Sequence, residues 1–203
     1  MADVEQLPAT SAATAVAATA DPGPLGLAAF ATTTFVLSCV NAGLADAAVT
    51  ATVLPLALFY GGLVQLLAGM WEFRKANTFG ATAFSSYGAF WLAFAGYAKF
   101  VAPGLPAASA HQATGLFLLA WAVFTAYMTV ASIKVSGAVL GVFAALTATF
   151  VLLCAGDFAQ ATGLTRAGGW VGLLTALIAW YASFAAVTNA TWRRVVLPTW
   201  PLA

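Results

Sequence analysis

The spacing of its few charges constrains this chain more than any other feature. Of 203 residues, 63% are hydrophobic and 6% are charged, where a soluble domain carries about 25% charged residues. The stretches between charged clusters repeatedly reach about 20 apolar residues, enough for a helix to cross about 30 Å of hydrocarbon. In that medium the backbone must satisfy its own hydrogen bonds, so the expected fold is an all-α membrane protein. Six spans fit, near 25–45, 50–71, 79–101, 112–132, 136–156 and 168–191. They occupy a helical domain over 21–197, leaving an Ala/Thr-rich tail at 1–20 and a short tail at 198–203. The first tail lacks the basic start and continuous apolar core of a secretory signal and is read as disordered and retained.

Short loops rich in Lys and Arg stay in the cytoplasm. With the N-terminus inside, that side holds Arg74, Lys75, Lys134, Arg193 and Arg194, against Lys99 and Arg166 outside. Both termini are therefore expected in the cytoplasm of a multi-pass protein of the cell membrane. Glu72, Arg74 and Lys75 then form a short hydrated cytoplasmic turn.

Several function classes drop out. A net charge of +1 without a basic run gives nucleic acid no electrostatic footprint. No HExxH or serine elbow is present, and Asp157 in CAGDF does not match an intramembrane aspartyl protease pair, so no enzyme is expected. Cys39 and Cys154 fall inside spans without ligand-like spacing and read as small apolar residues. Neither a metal nor a cofactor is expected.

Each span carries a narrow polar seam. In the second, Ala57, Gly61, Gln65 and Gly69 form a stripe of small residues around one amide; in the first, Phe30, Thr34, Ser38 and Asn41 share a side. Thr125, Thr129 and Ser132 mark the fourth, Thr147 and Thr149 the fifth, and Thr175, Ser183 and Asn189 the sixth. Small residues permit close helix approach in a membrane, and hydroxyls there commonly join helices or bond back to the preceding turn. A primary amide is harder to satisfy without water, so Gln65 and Asn41 are candidates for lining a pathway. Helix starts are expected at DPGPLGL, with Asp21 as cap and Pro22 or Pro24 in the first turn, and at Asn77 and Thr78. No acid or base lies at the centre of a span, which argues against a buried carboxylate relay.

The segment FYGGLVQLLAGMWEFRKANTFGATAFSSYGAFW, residues 59–91, resembles the signature of the acetate uptake transporters, and the likeness continues in DPGPLGL, Asn41, WAVFT at 121–125 and VVLP at 195–198. The family element usually begins N-P-A-P-L-G, where this chain has Asp21 and Gly23 before Gly26. The resemblance implies a six-helix protomer around its own central pore, assembled as a homohexamer and carrying acetate and related short carboxylates. It carries an apolar constriction over to Phe30, Tyr87 and Leu146, with Gln65 as a polar pore position close by; from the polar seams, Thr34, Asn41 and Thr147 are the further expected lining.

A short carboxylic acid titrates near a glutamic acid side chain, about 4.3, and is an anion at neutral pH. A conduit must offer it donors without holding it, which amides and hydroxyls do and a buried Lys or Arg does not. The expected carboxylate partners are the Tyr87 hydroxyl, Gln65 or a threonine. The expected function is proton-linked transport of acetate-like monocarboxylates, with succinate a further candidate. A passive channel for small anions, ammonia or urea stands beside it, and a non-transporting scaffold or sensor is the third reading.

Overall fold

The computed structural model describes residues 19–202; most of the Ala/Thr-rich tail, residues 1–18, lies outside them. Six long helical segments follow one another: α1 Gly23–Asn41, α2 Ala47–Arg74, α3 Thr78–Gly96 with a wide turn Tyr97–Val101, α4 Ala107–Ser132, α5 Gly137–Phe158 and α6 Thr162–Trp192. Among the described residues, five of these are long and apolar enough to cross a membrane. The exception, α3, is lowered by its Ser, Tyr, Trp and Gly residues, several of which face the interior: Tyr87, Gly88 and Trp91 are all buried.

The helices close a ring. Packing runs from α1 to α6, α6 to α5, α5 to α4, α2 to α3 and α2 to α1. The thin α3–α4 contact is closed by aromatic side chains, Phe90 against Phe117 (5.6 Å) and Trp121 (5.0 Å). Large apolar residues such as Phe59, Leu67, Val123, Val130 and Phe184 point outward and are exposed, as a lipid-facing surface requires.

Small residues set the closeness of this ring. A Cβ on Gly169 of α6 would meet backbone atoms of Asn41 and Ala42, and one on Gly26 would lie 2.6 Å from the Phe84 ring. The expected boundaries shift by local capping. Asp46 Oδ1 accepts from Ala48 N–H (2.7 Å), which starts α2 at Ala47. Helix α6 begins earlier than expected, at Thr162, carrying Arg166 in its second turn.

Glu72 corrects the expected hydrated turn. Arg74 and Lys75 are exposed, but Glu72 is 1% exposed and accepts a hydrogen bond from Asn77 Nδ2 (2.8 Å). Helix α2 continues to Arg74, so Glu72 remains on the same inward face as Gln65, Ala68 and Gly69.

The short tail expected at the C-terminal end folds back onto the ring. Arg193 takes a left-handed conformation that ends α6; Val196 and Leu197 N–H donate to Asn189 Oδ1 (2.7 and 3.0 Å), and Asn189 Nδ2 donates to Leu197 O (2.8 Å). The Trp200 and Thr199 carbonyls accept from Gly137 and Ala138 N–H (2.7 and 3.2 Å), satisfying the start of α5. Asn189→Ala is expected to free this segment, each lost bond being worth about 1 kcal/mol. Limited proteolysis should then cut within 195–202 several-fold faster than in wild type.

Candidate functional site

Three cavities succeed one another inside the ring. The first, about 240 Å³, is lined by Thr34, Ser38, Asn41, Trp91, Thr149 and Asp157 among others. The second, about 20 Å³, is lined by Leu27, Phe30, Gln65, Tyr87, Phe143 and Leu146, with Ala83 and Phe84. The third, about 240 Å³, takes in Asp21, Glu72, Asn77, Ser136 and Thr199. Phe30 and Leu146 are common to the first and second, and Leu27, Ala83, Phe84 and Phe143 to the second and third. A cavity of about 10–15 Å³ holds one water. The middle space is therefore water-sized.

Phe30, Tyr87 and Leu146 all line this narrow space. The Phe30 and Tyr87 rings lie 5.8 Å apart, and Tyr87 also packs against Phe124 (5.4 Å), Trp121 (5.9 Å) and Phe143 (6.0 Å). Its hydroxyl is 2.9 Å from Thr125 Oγ1, which itself donates to the Trp121 carbonyl (2.7 Å). The Thr125 proton is thus committed, and Tyr87 is the donor between them. The phenol anchors α3 to α4 and has no proton left for a carboxylate, contrary to the role expected for it.

Gln65 is 1% exposed, lines the same space, and among the described residues nothing donates to its Oε1. The backbone of α2 explains its placement. At 100° per residue, a regular α-helix would turn Gln65 about 120° away from Val53. Residues Leu56–Val64 instead form a π-helix, whose i→i+5 bonds make each turn wider. The slower rotation keeps Val53, Ala57, Gly61 and Gln65 on one buried face.

The hydroxyls divide into two groups. Thr32, Thr33, Thr125, Thr149 and Thr175 each donate to the carbonyl four residues back, and one of Thr129 and Thr147 does so while the other donates to it, which is the local reading of membrane threonines. Thr34, buried and lining the first cavity, has no partner for Oγ1 among the described residues. An unpaired buried polar atom costs about 1–3 kcal/mol and calls for a reason. Thr147 lines none of the three cavities; it bonds Thr129 Oγ1 (2.8 Å) and joins α5 to α4. Two residues further along, Thr149 faces the first cavity.

Both expected helix starts border the third cavity. Asn77 caps α3 through Gly80 N–H (3.1 Å), and Thr78 is the first helical residue. Pro22 is the residue preceding α1 and Pro24 lies in its first turn; Asp21 Oδ1 accepts from Gly23 N–H (3.2 Å) and pairs with Lys75 Nζ (3.2 Å). Asn41 lies at the end of α1 on the first cavity. Asp157, read in the sequence only as a span end that matches no protease pair, is a lining residue. Its signal was there: Leu146, Phe150, Leu153 and Asp157 recur at helical spacing on α5 and all line the first cavity.

A ring of long apolar helices around internal cavities, uncharged at their narrow middle and carrying carboxylates at the two ends, is the architecture of a multi-pass membrane protein of the transport class. The chain belongs to the GPR1/FUN34/yaaH family, whose model matches residues 4–203. It is 43% identical over 194 residues to acetate permease A of Emericella nidulans, covering 88% of this chain and 65% of that protein. It is 38% identical over 179 residues to the succinate-acetate/proton symporter SatP of Escherichia coli strain K12, covering 88% and 94%. The solved structure of the bacterial acetate channel SatP superposes with a TM-score of 0.84 at 37% identity, covering 90% of this chain and 99% of that one. The fungal relatives are longer, and the chain spans 66% and 62% of the length of two yeast members. These permease, symporter and channel relatives are transport proteins, not enzymes.

Proposed function

We propose that the three cavities are one conduit for acetate and related short carboxylates, closed at rest by Phe30, Tyr87 and Leu146. The observation that carries this reading is Gln65, a buried amide whose side chain makes no hydrogen bond with the other described residues, beside a water-sized space between two large cavities. Its Nε2 donates to the carboxylate at the narrowest point, Oε1 can accept only from the protonated acid, and the apolar rings accommodate the methyl end. Thr34 is the next polar contact in the first cavity. All six helices span the membrane in this reading, α3 included, because its polar face is covered by protein.

With both termini cytoplasmic, the Glu72 end opens inward and the Asp157 end outward. The protein acts in the cell membrane as a homohexamer with one conduit per protomer, as its family resemblance implies. The symporter relative supports proton linkage, and succinate is a second substrate on the same ground. A passive channel is the competing reading. It is favoured by the lining of the middle cavity, which among the described residues has no Asp, Glu, His, Lys or Arg to relay a proton.

Purified protein in liposomes, given labelled acetate with proton gradient and voltage imposed separately, tests this. Uptake driven by the proton gradient supports symport, uptake following voltage alone supports the channel, and no uptake overturns transport. Gln65→Leu should lower acetate uptake about tenfold. A hydrogen bond to a charged group contributes about 1.5–3 kcal/mol, and 1.4 kcal/mol is a factor of ten.

A further inference from the structure

Asp157 stands alone in the first cavity. Among the described residues, it is the one charged residue lining this cavity, and no Lys or Arg lines any of the three. Asp21 at the opposite end has Lys75 as its ion-pair partner at 3.2 Å; among the described residues, no corresponding cation pairs with Asp157. The Arg166 side chain, on the neighbouring helix, lies over Gly43 instead. His111 of α4 acts on Asp157 electrostatically and approaches Gln160 (3.1 Å between His111 Nε2 and Gln160 Nε2), while Cys154 is the titratable neighbour on α5 itself. Eleven residues of helix separate Asp157 from Leu146, about 16 Å along α5. The carboxylate sits at the mouth, before the constriction.

We propose that Asp157 is a specificity-determining residue: a charge filter that admits monocarboxylates and turns back dicarboxylate dianions. This inference rests on the reading of the cavities as a carboxylate conduit. A like charge repels in proportion to the charge it meets, so a dianion is opposed about twice as strongly as a monoanion at the same place. The walls beside Asp157 are apolar, with Phe94, Leu118, Phe150 and Leu153 lining the same space, and repulsion is screened less there than on an open surface. Proton linkage for dicarboxylates follows without a buried relay. A dicarboxylate that has taken up one proton passes the filter as a monoanion, and its entry rises as the medium is acidified.

Succinate and succinamate have nearly the same size and differ by one charge at neutral pH, which separates charge from fit. In liposomes at pH 7.5 and low salt, the wild-type protein is expected to take up succinamate about tenfold faster than succinate. Asp157→Asn should bring the ratio close to one while acetate uptake persists, and Asp157→Glu should retain the wild-type ratio. The same comparison in a His111→Gln background removes the ionisable neighbour and should leave the pattern unchanged. A wild-type ratio near one overturns the filter, and so does a ratio that survives Asp157→Asn. A wild-type ratio near one is decisive against the filter even if the variant fails to assemble. Failure of the wild type to take up acetate would instead refute the conduit itself, a separate outcome.

Discussion

Replacing Tyr87 by alanine is expected to raise uptake of butyrate relative to acetate by tenfold or more. Tyr87 is 3% exposed, and its ring lies between Phe30 and three further aromatic residues from α4 and α5. Removing it joins a water-sized space to its neighbours, so chain length ceases to be limiting. Truncating a buried aromatic residue costs about 3–5 kcal/mol of stability, so the result needs a companion. Tyr87→Phe keeps the ring and loses only the bond to Thr125, at about 1 kcal/mol. It should preserve size selectivity. Competition of unlabelled acids against labelled acetate reads both variants, and an alanine variant that still excludes butyrate would refute the constriction.

The second large effect concerns the α1–α6 contact. Alanine is a better helix former than glycine by about 1 kcal/mol, so Gly→Ala within a helix is ordinarily stabilising. At Gly163 nothing lies within 4 Å of an added Cβ, and stability should hold or rise. At Gly169 the added atom would fall on the backbone of Asn41 and Ala42, which cannot swing aside as a side chain does. Forced separation there should cost about 3 kcal/mol, the upper part of the range for overpacking. It would also displace Asn41 from the first cavity. Thermal aggregation followed by size-exclusion chromatography should show Gly169→Ala losing its folded peak well below wild type, and Gly163→Ala keeping it. Equal behaviour of the two would mean that α1 and α6 do not pack this closely in the membrane.

The same contact explains how far sequence reasoning reaches. Periodicity identifies residues that share a helix face, and on that basis Ala57, Gly61, Gln65 and Gly69 are legible as one inward stripe. Family likeness adds Phe30, Tyr87 and Leu146, which line a single cavity although they come from three helices. Neither source says what opposes a face. Thr147 and Thr149 are equally polar in the sequence, yet one meets Thr129 across a helix contact and the other faces a cavity.

Charge shows the same division. Glu72 stands beside Arg74 and Lys75 in sequence and reads as hydrated, but the end of α2 turns it inward and Asn77 from the next helix supplies its donor. Asp157 reads as a span end, and only the approach of α1, α3 and α4 makes it the lone charge in a cavity.

What the amino-acid order determined by itself is the helical, membrane-spanning character of the chain, because burying backbone in hydrocarbon depends on local composition and length. Which polar atoms are satisfied, where the cavities narrow, and that residues after α6 return to cap the start of α5 were decided by tertiary structure. Those properties belong to pairs of atoms distant in the chain, and a hydrogen bond or a void exists only once both sides of it have been brought together.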